Sequence, residues 1–294
     1  MPQHRWPANV ELVASSWMAE GARPAADAGP CPIPIERRVA AAVAAGFAGI
    51  GLNRADYEAL IAQHGAAGLA RVLGDGGVRH VELETVTGWW NDDPDGTCWR
   101  AAYDAMLSFC AHFPVRQIKL NGEFSAVPAS IESMRAGFVR LAESAAQAGT
   151  IAALEPVAFS NVRNAATARL IVANSAGHGG GVMLDCWHFA RRGIAPDDLG
   201  GLTGAEICGV EISNIAPDIV GSLFEDTVDH RRLPDEGVYD VAAFLRAVGD
   251  AGYAGPIGCE VLSIRLREMP IEAAMQTAAD SARRTLNAVA MVRT

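Results

Sequence analysis

The chain has 294 residues, half of them hydrophobic and 20% charged, with 30 glycines and 15 prolines. That balance supports a large core and excludes a disordered chain. A formal charge of −10 argues against a nucleic-acid binder that tracks the phosphate backbone with a basic face.

Short apolar runs alternate with alanine-rich stretches along the whole chain. Strands are predicted at Val10–Ser15, Phe47–Leu52, Arg79–Glu84, Gln117–Leu120, Ile151–Glu155, Gly181–Asp185, Ile207–Ile212 and Pro256–Glu260. Helices are predicted between and after them, at Glu36–Ala45, Tyr57–Gly74, Cys98–Ala111, Ser130–Ala148, Ala165–Ala173, Asp197–Leu202, Asp240–Ala251 and Ile271–Val292. Strict alternation requires parallel strands joined by right-handed crossovers. Eight such units in this length predict one α/β domain over residues 1–294, a single (β/α)8 TIM barrel. The longest aperiodic stretches, Met18–Pro34 and Ile215–Val238, each follow a strand. Both therefore belong to the C-terminal face, where active-site loops gather. The first reads as a rigid surface loop, with a lid as the alternative.

Six cysteines (Cys31, Cys98, Cys110, Cys186, Cys208 and Cys259) fall at wide intervals without C-x-x-C, so neither a disulfide framework nor a zinc knuckle is expected. The opening MPQHRWPANVE has no apolar h-region, and no apolar run reaches the roughly 18 residues of a membrane span. A soluble, cytoplasmic protein with no membrane or nucleic-acid partner is expected, and homo-oligomerisation stays open.

Four strands end in a carboxylate: Glu155 in IAALEPV, Asp185 in GVMLDCWHF, Glu211 in CGVEISN and Glu260 in GPIGCEV. One such acid would cap a helix or pair with an arginine. Four on consecutive strands are different, because barrel closure brings them to one rim. Like charges there raise one another's pKa. A divalent cation resolves the conflict, and all-oxygen ligation favours Mg2+ or Mn2+ over Zn2+.

Other residues carry two readings each. Lys119, the single lysine, stands in QIKLNGE beside Asn121 and Glu123. It is either a cation at the mouth that binds substrate or the partner of a neighbouring carboxylate. Glu82 and Glu84 share one strand face. Glu84 faces the mouth or joins an ion pair. Trp89 and Trp90 wall a substrate pocket or pack in the core, whereas Trp187 reads as packing. The glycines of GHGGG at 177–181 precede a strand, which favours a turn over a phosphate cradle. Cys186 and Cys259 flank the acids and should point away from them. No G-x-S-x-G elbow occurs, and no G-x-G-x-x-G follows a strand.

The runs ALEP, LDCWH, VEISN, RRLPDEGVYD and GYAGPIGCEV resemble the sugar phosphate isomerase/epimerase family with the xylose isomerase-like TIM barrel. The resemblance is strongest over residues 150–262. It implies that Glu155, Asp185 and Glu260 bind one divalent metal, that His188 touches substrate, and that Arg231 or Arg232 holds a substrate oxygen. Two departures stand out. Glu211 replaces the usual His or Gln, as ligand or as base, and Asp235 replaces the first Gly of a P-G-E-G turn. The implied activity is a metal-dependent isomerase or epimerase that enolises a sugar or keto-polyol, with Glu155 or Glu260 as acid or base. The alternative is a dehydratase of an inosose-like or dehydroshikimate-like ring. A repair endonuclease, also on this fold, fits poorly, because that group uses a His-rich site and this chain has seven histidines and a charge of −10.

Overall fold

The computed structural model describes residues 10–24, 29–91, 99–124 and 129–291. Eight parallel strands close into a barrel in chain order: β1 (Leu12–Ala14), β2 (Gly49–Asn53), β3 (His80–Val86), β4 (Val115–Asn121), β5 (Ala152–Glu155), β6 (Gly180–Asp185), β7 (Ile207–Ile212) and β8 (Ile257–Cys259). The expected closed (β/α)8 barrel is therefore observed. Around it lie α1 (Ile35–Ala44), α2 (Arg54–Asp75), α3 (Trp99–Phe109), α4 (Ile131–Ala148), α5 (Ala165–Val172) and α6 (Cys186–Arg191). The later part adds α7 (Leu223–Asp229), α8 (Val241–Asp250), α9 (Ile264–Arg267) and α10 (Ile271–Met291).

Sequence chemistry sets the helix starts. Asn53, Ser130, Asn164 and Asp240 each accept a hydrogen bond from the first turn of the helix that follows. The outward faces of the strands supply an apolar layer, including Ile118, Leu154 and Leu184, that the helices cover. The inward face of β4 carries polar side chains instead. On β4, Gln117, Lys119 and Asn121 alternate with Ile118 and Leu120, and all five are buried.

The sixth predicted helix is a correction. Residues Asp197–Leu202 form turns, because Gly200 and Gly201 adopt left-handed φ of 61° and 77°. The helix of that unit is α6, which starts directly after β6. The GHGGG run forms the expected turn, with Gly177 and Gly179 at positive φ before β6. The Ile215–Val238 stretch contains α7, whose Ser222 and Glu225 form a capping box. Of the predicted features, residues 25–28 of the first loop, Cys98 and Val292 lie outside the described residues. Cys31, Cys110, Cys186, Cys208 and Cys259 are free thiols. No helix among the described residues is long and apolar enough to cross a membrane.

A glycine makes room for one of the acids. Gly258 pairs with Glu211 across β8 and β7, and a Cβ at 258 would lie 2.6 Å from the Glu211 Cγ. Gly258→Ala should therefore displace Glu211 and lower stability by about 1–3 kcal/mol, as overpacking does. Urea denaturation checks this, and an unchanged midpoint would refute it.

Candidate metal and substrate site

Strand register places the acids. Glu155 ends β5 opposite Asn121 on β4, Asp185 ends β6 opposite Glu211 on β7, and Glu260 follows β8. One carboxylate oxygen from each of Glu155, Asp185, Glu211 and Glu260 lies within 4.8 Å of the others, and all four residues are buried. Glu84, at the same level on β3, joins them. The structure thus brings all four predicted ligands together and adds a fifth acid.

Two cations hold this cluster. The Lys119 Nζ lies 2.8 Å from Glu84, 2.9 Å from both Glu211 oxygens and 3.1 Å from Glu260. Its three N–H groups are all engaged, so Lys119 follows the ion-pair reading rather than the substrate-binding one. The Arg231 Nη1 donates to Asp185 at 2.7 Å and stands 3.1 Å from Glu260 Oε2, while its Nε and Nη2 donate to Thr227. Its guanidinium also stacks on Trp187, 5.1 Å from the ring centroid. Arg231 is therefore held by the protein itself, although it borders the cavity.

Five carboxylates against Lys119 and Arg231 leave a formal excess of three negative charges. The electrostatics follow. Burial raises the pKa of Glu211 well above the ordinary value, and Glu260 adds to the rise against the pull of Lys119. Burial likewise raises Glu84. For Lys119, burial works against the charge, but Glu211, Glu260 and Glu84 outweigh it and hold the ammonium well above its ordinary pKa. Burial also opposes the charge on Glu155, yet Lys119 and His188 prevail and lower its pKa.

His188 sits one turn into α6, the helix capped by Asp185, whose Oδ1 accepts from the Trp187 N–H at 2.9 Å. The Ala158 N–H donates to His188 Nδ1 at 3.3 Å. In the neutral ring Nε2 then carries the proton, and it stands 3.6 Å from both Glu155 and Asp185. A protonated Nε2 has no lone pair for a metal. His188 is thus arranged as a donor beside the acids, and two groups of side chains lie close enough together to hold a cation: Glu155, Asp185, Glu211 and Glu260, or Glu155, Asp185 and His188.

A cavity of about 470 Å³ opens above the acids. Glu84, Thr85, Lys119, Asn121, Glu155 and His188 border it, and Trp17, Phe124, Phe159, Phe224 and Leu262 form its walls. Trp89 and Trp90 correct the sequence reading. Both are buried, Trp89 against Phe138 and Trp90 against Trp89, and the Trp89 indole donates to the Asn121 carbonyl. They pack the core instead of walling the cavity. Arg232 is exposed and lies away from the cavity, because the backbone bridge from Asn214 to Arg232 turns only Arg231 inward. Cys186 and Cys259 point away, toward the Ser213 and Ala278 carbonyls. Glu82 belongs elsewhere, paired with Arg116 at 2.6 Å.

Sequence reasoning missed several residues. Asn121 donates to Glu155 at 2.8 Å and accepts from the Thr85 hydroxyl at 2.6 Å. Its spacing of two from Lys119 on one strand was the available signal. Ser15 and Ser16, which donate to Glu260 and Glu84, gave none, and neither did the three phenylalanines.

Fold and site together define a (β/α)8 barrel with an acidic cluster, suited to a cation, at its C-terminal mouth. Residues 39–285 match the xylose isomerase-like TIM barrel family, and the chain belongs to it. Among solved structures, the IOLI protein with a binding zinc atom superposes with a TM-score of 0.79 at 18% identity, covering 95% of this chain and 99% of that one. D-allulose 3-epimerase from Methylomonas sp. gives 0.65 at 18%, with the same coverages of 95% and 99%. At these identities the likeness concerns the fold. A 3-dehydroshikimate dehydratase of Pseudomonas aeruginosa is 31% identical over 93 residues, 32% of this chain and 14% of that enzyme. Its Pseudomonas putida counterpart is 30% identical over 106 residues, 36% of this chain and 16% of the enzyme. The match thus spans a small part of two much longer proteins.

Proposed function

We propose that the protein is a divalent-metal-dependent isomerase or epimerase that moves a proton at the carbon next to the carbonyl of a sugar or keto-polyol. The observation that carries this reading is the convergence of Glu155, Asp185, Glu211 and Glu260 beneath the cavity, with more negative charge than Lys119 and Arg231 offset. The donors are anionic oxygens and fit Mn2+ or Mg2+. Such an ion, when bound, supplies Lewis-acid polarisation of the substrate carbonyl.

The chain's own residues do the rest. Glu155, held ionised by Lys119 and His188, takes the proton from carbon. For isomerisation Glu155 returns that proton to the neighbouring carbon; for epimerisation a solvent proton relayed by Glu260 reaches the opposite face, and Glu155 releases its own proton to solvent. His188 donates its Nε2 proton to a substrate oxygen. Lys119, Arg231 and Asn121 are positioning residues that fix the carboxylates.

The matched segments of the two 3-dehydroshikimate dehydratases favour a second reading. There the same proton removal is followed by departure of the β-hydroxyl as water, leaving a conjugated enone.

Incubation of Mn2+-loaded protein with keto-sugars and inosose-like or dehydroshikimate-like rings in D2O separates the readings. Deuterium at the carbon next to the ketone without ultraviolet enone absorbance is the expected result. Enone formation would establish the dehydratase. No exchange into any of these ketones, in a folded and metal-loaded sample, would overturn both.

A further inference from the structure

The cavity has two chemically different halves. Its floor holds Glu84, Glu155, Glu260 and their partners, whereas its walls are aromatic and aliphatic. Phe159 stands at the centre of the wall. Its ring lies 6.2 Å from His188 on the floor, 5.5 Å from Phe124 and 6.3 Å from Phe224. An unbroken aromatic surface therefore runs from the acids to the rim. At the rim Phe124 is 51% exposed and Phe224 44% exposed, which is costly for such large side chains unless something apolar covers them. The volume, about 470 Å³, exceeds what a bare sugar fills and lies in the range of sites for larger ligands.

The charges point the same way. The cationic residues bordering the cavity among the described residues are Lys119 and Arg231, with His188 the only other basic group. Lys119 and Arg231 are both engaged by carboxylates. Arg23 and Arg267, farther out, both contact Asp229. Residues 25–28 and 125–128, outside the described residues, contain no Lys, Arg or His. A divalent ion offsets two of the three excess charges and leaves the site negative. A phosphate or carboxylate on the substrate would meet a negative floor where, among the described residues, each cation bordering the cavity is already paired with a carboxylate.

We infer that the substrate is an uncharged polyhydroxylated ketone bearing an aromatic or similarly flat apolar group, with the polyol on the acidic floor and the apolar group against Phe159, Phe124 and Phe224. This deepens the proposed enolisation and rests on it. A flat apolar group stacks on the ring faces and covers the rim, while its neutral polyol end keeps the floor free of like-charge repulsion.

Binding to Mn2+-loaded protein tests the inference with two pairs of probes followed by calorimetry. The first pair is phenyl and methyl 3-keto-β-D-glucopyranoside, identical except for the substituent. The second is D-fructose and D-fructose 6-phosphate. The phenyl ketone should bind on the order of tenfold or more tighter than the methyl ketone, from the apolar area covered. Phe159→Ala and Phe224→Ala should each reduce that ratio, and the phosphate should bind no better than fructose. Equal binding of the two ketones, or tighter binding of the phosphate, would overturn the inference. Deuterium exchange into the methyl ketone is read separately. Exchange without a phenyl preference removes only the inference, whereas no exchange and no binding of either ketone removes the enolisation reading with it.

Discussion

Replacing Lys119 by methionine should destabilise the metal-free protein by about 3–5 kcal/mol at pH 8, the usual cost of leaving buried charges uncompensated. The ammonium is the hub of three contacts, to Glu84, Glu211 and Glu260, at 2.8–3.1 Å. Methionine fills similar space without the charge, so the effect is electrostatic rather than a cavity. The sign with pH follows from Glu211 and Glu84, whose pKa values are raised on folding. A carboxyl of this kind costs the fold nothing while it is protonated in both states. The cost appears as pH climbs through the unfolded value, near 4.5, and grows until the folded value is passed. Stability of the metal-free protein therefore falls as pH rises, and more steeply in Lys119→Met. Urea denaturation in EDTA at pH 5 and pH 8 measures this, and added Mn2+ should recover part of the loss. The same destabilisation at both pH values would show that Lys119 only fills space.

The second large effect separates ligands from proton carriers. Glu155→Gln and Glu260→Gln should each lower turnover by about two to four orders of magnitude at saturating Mn2+, the range of a lost general acid or base. Glu211→Gln should behave differently. Both Glu211 oxygens face Lys119, and Glu84 and Glu260 remain to hold the lysine. That variant should lose about 10–100-fold in metal affinity, as for a residue that tunes a metal site, with turnover returning as Mn2+ is raised. Calorimetry of Mn2+ binding beside turnover or deuterium exchange makes the comparison. Intact metal affinity with abolished exchange in Glu211→Gln would instead make Glu211 the base.

The closed barrel was legible in the chain because alternation and strand spacing are local patterns. Eight apolar runs separated by alanine-rich helices admit few ways to bury both faces of a parallel sheet. The convergence of Glu155, Asp185, Glu211 and Glu260 was legible for the same reason, since each lies at the end of a predicted strand or one residue before it, and closure places strand ends on one rim. What lies between the strands resisted this reasoning. The helix expected at Asp197–Leu202 gave way to turns through Gly200 and Gly201, and the helix that carries His188 begins with no loop after β6.

Side-chain partners were decided only in three dimensions. Lys119 admitted a substrate role or an ion pair until β3, β7 and β8 placed Glu84, Glu211 and Glu260 around its Nζ. Arg231 and Arg232 are adjacent in sequence, and the bridge from Asn214 to Arg232, with the partners Asp185 and Thr227 of Arg231, leaves one inward and the other exposed. Trp89 and Trp90 follow β3 as a pocket wall would, yet Trp89 packs on Phe138 of α4 and Trp90 on Trp89, both inside the core. Phe124 and Phe159 come from two loops and Phe224 from α7, three segments that share no sequence pattern. Strand order is written in local periodicity, which the chain carries residue by residue. Which charges neutralise one another, and which rings share a wall, depends on distances between segments far apart in sequence, and only the closed barrel sets those.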